Sequence, residues 1–200
     1  MAEPLIATTR TTVRRRADRG SVDRALAYSI LDEAYVAHVG FVIDGAPRVL
    51  PMTFGRVDDT LYLHGAVGNA MLRSSAGAEV CVTFTLLDGL VLARSAMHHS
   101  MNYRCVVLYG VAERVDDEME KRGAFDAVVD HARAGRSGEA RPANDAEVRA
   151  TLVLRLPIAE GSVKVRTGGP IDDEDDLDLP VWAGVIPVGL VLGDPIPDAP

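Results

Sequence analysis

The strongest constraint on this chain is a change of period at Ala34. Upstream of it, Leu26, Ile30 and Leu31 recur at helical spacing. Downstream, Tyr35-Val36-Ala37-His38-Val39-Gly40-Phe41-Val42-Ile43 is rich in β-branched and aromatic residues, and Asp44-Gly45 follows at once. That dipeptide tolerates the positive φ angles of a two-residue hairpin turn, so the chain is expected to fold back on itself. Arg48-Val49-Leu50-Pro51-Met52-Thr53-Phe54 reads as the returning strand. Pro51 has no amide proton to donate and therefore marks an edge, a bulge or a strand break. Asp58-Asp59 makes a second turn, and Thr60 to His64 a third strand. Three consecutive strands with two tight turns form a meander, which a parallel α/β scheme does not accommodate.

The remaining elements follow the same logic. Ser21 to Asp32 reads as a helix with Ser21 as its N-cap. Gly65 to Ala76 breaks the strand pattern, and Met71 and Leu72 would face the core on a short helix there. Glu79 to Leu87 and Arg104 to Val115 read as strands. Glu118 to Ala134 is the clearest amphipathic helix, with Phe125, Val128, Val129 and Ala132 on its apolar face. Gly135 to Asn144 is a polar loop, and Ala150 to Ile158 and Ser162 to Arg166 are the last strands. The expected class is mainly β (α+β), a small barrel or sandwich with peripheral helices. The organisation expected is a flexible arm over 1–20, one domain over 21–190 and a C-terminal tail over 191–200.

The formal net charge of −8 over 200 residues argues against nucleic acid or an anionic membrane as the main partner, although arginines cluster between Arg10 and Arg24. Cys81 and Cys105 are too few for a disulfide framework and lie in apolar runs, so buried reduced thiols are expected. No stretch reaches the length of a membrane span and no apolar signal core opens the chain, which points to the cytoplasm.

Four segments, in order, carry a resemblance. They are Ile30-Leu31-Asp32-Glu33-Ala34 with His38-Val39-Gly40-Phe41-Val42, Asp44-Gly45 and Pro51-Met52; Leu61-Tyr62-Leu63-His64-Gly65-Ala66 running on to Met71-Leu72-Arg73; Leu86 to Arg104, including Ser95-Ala96-Met97-His98-His99-Ser100-Met101-Asn102-Tyr103; and Ser162-Val163-Lys164-Val165-Arg166-Thr167-Gly168-Gly169-Pro170 with Leu179-Pro180-Val181-Trp182-Ala183-Gly184. Together they resemble the flavin-nucleotide-binding branch of the pyridoxamine phosphate oxidase-like split β-barrels, the branch that holds the nitroimidazole-resistance proteins. The resemblance implies a homodimer with FMN at the subunit interface.

Carried onto this chain, it places backbone of Leu50, Pro51, Met52 and Thr53 at the flavin ring edge. His64, Gly65 and Ala66 would form the mouth, and the segment with Asn69, Met71 and Arg73 would cover the phosphate. Relatives commonly carry a base before the Met-Leu-Arg triplet, where this chain has Ala70. The phosphate would then rest on Arg73, on amides near Gly68 or on a base from the partner chain, with Lys164 and Arg166 as further candidates. His98, His99, Ser100, Asn102 and Tyr103 would line the cofactor or substrate pocket, or else form a polar rim that caps backbone. His64 would contact a flavin or serve as an axial ligand to haem, or be a hydrogen-bonded rim residue. Trp182 would stack at the ring or plug the barrel.

The implied function is an FMN-dependent oxidoreductase acting on a small organic substrate such as a nitro or quinone-like compound. The alternatives are a flavin- or haem-binding carrier or sensor without turnover, and a cofactor-free dimer. No residue is singled out as catalytic, and no metal site is expected from His38, His64, His98, His99 and the cysteines. The run Asp172-Asp173-Glu174-Asp175-Asp176 lacks the spacing of a calcium loop and reads as a solvated surface loop. Only Lys121 and Lys164 are lysines, which argues against oxidation of pyridoxamine phosphate itself.

Overall fold

The chain is described by a computed structural model over residues 3–198. It divides into two compact units, one of residues 1–86 with 105–164 and the other of residues 87–104 with 165–200. The strands are β1 (Gly20–Ser21), β2 (Ala37–Ile43), β3 (Ala46–Met52), β4 (Phe54–Val57), β5 (Thr60–Ala66), β6 (Glu79–Leu92), β7 (Ser100–Val111), β8 (Glu113–Arg114), β9 (Thr151–Pro157), β10 (Glu160–Arg166) and β11 (Gly184–Pro187). The helices are α1 (Arg24–Glu33), α2 (Ala70–Ser75), α3 (Glu118–Ala132), α4 (Arg136–Glu139) and α5 (Asp145–Ala150).

The period change at Ala34 marks a real boundary, because α1 ends at Glu33 and β2 pairs antiparallel with β3. Asp44 and Gly45 have φ of 52° and 75°, the conformation that closes a two-residue turn with the twist of its flanking strands. One sheet runs β1-β10-β7-β6-β2-β3 with β11 added on β6, and a second runs β4-β5-β9-β8. Every registered pair among the named strands is antiparallel. The two sheets make a split β-barrel of the expected class.

Several local expectations shift. The first helix begins at Arg24, and its N-cap is Asp23, whose carboxylate accepts from the amides of Ala25 (2.8 Å) and Leu26 (3.3 Å). Ser21 instead lies on β1, with its hydroxyl accepting from the Asp23 amide. The returning strand stops at Met52, and Thr53 rather than Pro51 is the break. Pro51 sits inside β3, opposite His38, on the edge strand where its missing donor costs no ladder bond. The loop at 135–144 contains α4, and α5 follows with a full capping box between Asn144 and Glu147.

Residues 3–19, expected as a flexible arm, lie along the first unit. Leu5 is buried, Ile6 bridges Glu160, and Arg10 forms a fork on Glu160 (2.7 and 2.6 Å) while reaching Glu79 (2.7 Å). These hydrogen bonds from Arg10, with one from Thr8, hold the Glu160 carboxyl down at about 2.

The core of the first unit includes Phe54, Phe84, Leu61, Leu63, Leu154 and Leu156, all fully buried. Helix α3 packs across β4, and Gly55 permits the approach. A Cβ there would lie 2.7 Å from the Val128 amide nitrogen and 2.8 Å from the Ala127 carbonyl carbon.

Candidate functional site

β3 is the last strand of its sheet, so one of its edges has no strand beside it among the described residues. It is exposed almost along its whole length, with Val49 at 63% and Leu50 at 46% exposure. The residues assigned to the flavin ring are thus on this strand (Leu50, Pro51, Met52) and at its break (Thr53). Arg48, an exposed charge in the same apolar run, was not singled out by the sequence pattern, although a charge interrupting a strand of this kind is a visible signal.

β5 ends at Ala66 in the mouth segment, and Ala66, Val67 and Gly68 are exposed. Asn69 is committed to α2: its side chain accepts from the amides of Met71 (3.0 Å) and Leu72 (3.2 Å), so it caps the helix. Met71 is buried and belongs to the core. Arg73 is exposed on α2. On β10, Lys164 lies 3.4 Å from the Arg15 carbonyl, in a groove of about 270 Å³ that Arg10, Arg14, Tyr109 and Ser162 also line. Cys105 opens on the same groove, and both cysteines are free, half-buried thiols. Burial pushes the Cys105 thiol up, away from thiolate chemistry.

His64 stands apart. Tyr62 and His64 alternate against the buried Leu61 and Leu63, and the Tyr62 hydroxyl donates to Glu120 on α3 at 3.1 Å. Arg155 of β9 binds Glu120 as well, and near the other end of α3 the His131 ring packs on Phe54, with centroids 4.2 Å apart. Between these two pins the helix meets the bare backbone at Gly55 through Ala127 and Val128 and leaves a gap beside that contact. The gap is a cavity of about 290 Å³ lined by His64, Phe125, Val128, Val129, Arg141 and Pro142, among others. The expected apolar face of α3 is only partly core: Phe125 is half-buried but packs against the buried cluster of Tyr62, Val115, Ala124 and Val153, Val128 and Val129 are half-buried and Ala132 is exposed, while Lys121 and Ala124 are the buried positions. The His64 Nδ1 is buried and has no hydrogen-bond partner. Burial pushes its pKa below the ordinary imidazole value, so the ring is neutral at pH 7.

The remaining candidates lie in the second unit. His98 and His99 are not on a strand but in the turn segment before β7. His98 Nε2 is 3.2 Å from Asp173, and His99 Nδ1 is 3.0 Å from the Ser95 carbonyl. Asn102 is buried on β7, donates to the Gly168 carbonyl (3.1 Å) and accepts from Arg166. Arg166 also donates to the carbonyls of Gly168 (3.2 Å) and Gly169 (2.9 Å), so this guanidinium is built into the turn. Ser100 and Tyr103 are half-buried on the same strand. The acidic run is not uniformly solvated, since Asp172 has a side chain only 1% exposed and takes hydrogen bonds from the Arg94 amide (2.8 Å) and guanidinium (3.0 Å). Burial opposes its ionisation, but these donors outweigh it and hold its carboxyl low. Trp182 is 63% exposed and plugs no barrel. Among the described residues, no group of three or more histidine, cysteine or acidic side chains is placed to hold a metal ion, and no helix is long and apolar enough to cross a membrane.

The model of the family described as pyridoxamine 5'-phosphate oxidase matches residues 23–165, and the chain belongs to that family. Among solved structures it is similar to the flavocytochrome Anf3 from Azotobacter vinelandii, with 40% identity over 98% of this chain and 91% of that one at a TM-score of 0.91. It is also similar to a FAD and haem binding protein from Mycobacterium smegmatis, with 38% identity over 90% of this chain and 89% of that one at a TM-score of 0.86. A candidate 5-nitroimidazole antibiotic resistance protein from Bacteroides thetaiotaomicron matches at 31% identity over 72% of this chain and 84% of that one, with a TM-score of 0.59. No curated protein matches the sequence.

Proposed function

We propose that this chain is a flavin-binding protein that works as a homodimer and passes electrons to a small organic acceptor, with FMN as the nucleotide. The observation that carries the reading is the uncovered edge of β3, where Val49 and Leu50 stand exposed on opposite faces of the strand. Arg48 and the two prolines guard this edge against uncontrolled pairing, but the exposed Val49 and Leu50 still favour a cover. A planar ring against its backbone, closed over by a second subunit, is such a cover. The residues present fit the group: the free backbone edge of β3 offers the Pro51 carbonyl as an acceptor to a ring edge, and Arg73 and Arg48 offer exposed charge to a phosphate. Asn69 and Arg166 are left out of the phosphate grip because both are spent within the fold. When bound, the flavin supplies the electron chemistry, and the chain's part is to orient the ring and exclude water.

A second reading, FAD with haem, is supported by the two relatives at 40% and 38% identity, whose descriptions name a flavocytochrome and a FAD and haem binding protein. One experiment tests both. The purified protein should show flavin absorption bands, and heat should release a nucleotide whose mass identifies FMN or FAD. A colourless protein that takes up neither on titration would sink the flavin reading. Reduced nicotinamide with quinone or nitro acceptors then tests for turnover.

A further inference from the structure

We propose that the groove between the N-terminal segment and the β7–β10 pair binds the diphosphate group of a small molecule, apart from the flavin phosphate grip at Arg73 and Arg48. The groove lies within the first unit and measures about 270 Å³. Arg10, Arg14, Arg15 and Lys164 line it, and among the described residues no acid does. In a chain of net charge −8 this is a local reversal of sign, with Asp18 the only acid between Glu3 and Asp23. Arg10 is matched by Glu160 and Glu79. Arg14, Arg15 and Lys164 form no ion pair among the described residues, so their charge is free for a ligand.

The fold holds these charges together. On one side the Arg10 guanidinium lies over the Tyr109 ring, 4.5 Å from its centroid, while it forks onto Glu160. On the other, the Lys164 amine donates to the Arg15 carbonyl at 3.4 Å. Like charges kept this close repel, and a bound anion removes the repulsion. The Cys105 thiol on the groove wall stays protonated because burial pushes it up, so no thiolate competes for the bases. The chemistry then narrows the occupant. Guanidinium groups bind phosphate oxygens as paired donors and lysine adds a point charge, an arrangement suited to a group that carries several negative charges. The half-buried Ser162 hydroxyl adds a neutral donor. The volume falls just below the roughly 300–1,000 Å³ of sites for drug-sized ligands, so the groove takes the diphosphate and leaves the rest of its carrier outside. A membrane or a nucleic acid would meet the negative charge of the whole chain, whereas a small ion inside the groove meets the local bases.

The test is isothermal titration calorimetry of the protein as purified with inorganic diphosphate, ADP and orthophosphate. Diphosphate and ADP should each bind once per chain, about tenfold or more tighter than orthophosphate, and both should weaken as salt rises. Tighter binding of ADP marks a nucleotide as the source of the diphosphate, and tighter binding of the inorganic ion marks the free anion. The double variant Arg14→Ala with Arg15→Ala changes two exposed side chains and should weaken both ligands about tenfold or more, with the circular dichroism and flavin content of the wild type. Lys164→Gln should weaken them in the same direction. If the wild type binds neither ligand, or if the variants bind as the wild type does, the inference falls. If the double variant also loses its flavin, the groove serves the flavin's own phosphates and the inference of a separate site falls. A colourless protein that still binds diphosphate at these residues fails the flavin reading and leaves this inference standing.

Discussion

Two regions of this molecule carry histidines that the sequence marks as candidates, and they are built in different ways. In the second unit, His98 and His99 are each tied, one to Asp173 and one to the Ser95 carbonyl, beside the Asn102–Arg166 link and the Arg94–Asp172 pair. In the first unit, His64 lines the cavity beside α3 and has a buried Nδ1 without a hydrogen-bond partner. A polar cluster that bonds to itself holds a turn in shape. A polar atom buried without a partner opposes folding, and is retained where something else will bond to it. The difference is one of degree, since Ser95 Oγ and Arg94 Nε in the second unit are also buried without a hydrogen-bond partner.

Four substitutions or titrations break or sharpen that contrast. The largest effect belongs to Arg166→Ala, which strips charged hydrogen bonds from Asn102, Gly168 and Gly169 and should lower stability by about 2–3 kcal/mol in urea denaturation. A loss under 0.5 kcal/mol would mean that the second unit's network does not hold its turn. Arg73→Ala comes next: it removes an exposed charge assigned to the phosphate and should weaken flavin binding about tenfold, roughly 1.4 kcal/mol, in a fluorescence titration. Unchanged affinity would move the phosphate grip elsewhere, with Arg48 the next residue to try. His64→Leu should raise the stability of the ligand-free protein by about 1 kcal/mol, because an unpaired buried nitrogen is replaced by hydrocarbon. A fall in stability instead would show that the ring is bonded after all and would erase the contrast.

The smallest effect is confined to acid. Glu160 titrates at about 2 when folded against an ordinary 4.5, so the stability it lends is present above pH 4.5 and is lost as the pH falls towards 2. Glu160→Gln should flatten that part of a stability–pH curve measured by circular dichroism. His64 has the same sign in another window: its lowered pKa makes the unfolded chain the better proton binder, so stability declines below the ordinary imidazole value of 6.5, a slope absent from His64→Leu.

Much of the fold was legible because its signals are local. The Asp44-Gly45 turn, the alternation of β2 and the length of α3 all follow from neighbours in sequence. Where two signals competed, the pattern chose wrongly. Ser21 and Asp23 are both good caps two residues apart, and Ser21 is drawn instead into pairing with β10, which no local pattern reports. The strand ending at Leu87 runs on to Leu92 because Asp88 binds Arg104 on β7 and Gly89 lets β11 lie close, with a Cβ there only 2.9 Å from Val185. The capping box of α5 was legible in Asn144 and Glu147 but hidden in a segment whose glycine and proline read as loop. The site was harder. The stripe of Phe125, Val128 and Val129 looks in sequence like any core-facing helix, and only the packing shows that it is half-buried beside a cavity.

Gly55 gives that packing an unexpected handle. The helix rests on bare backbone at this one point, so the height of the roof over His64 is set by a side chain that is not there. A single methyl group at position 55 would act as a shim, lifting Ala127 and Val128 together and changing the bore of the pocket without altering any residue that lines it. The gauge of the pocket is thus written on the strand beneath it, in a residue that a search confined to pocket walls would pass over.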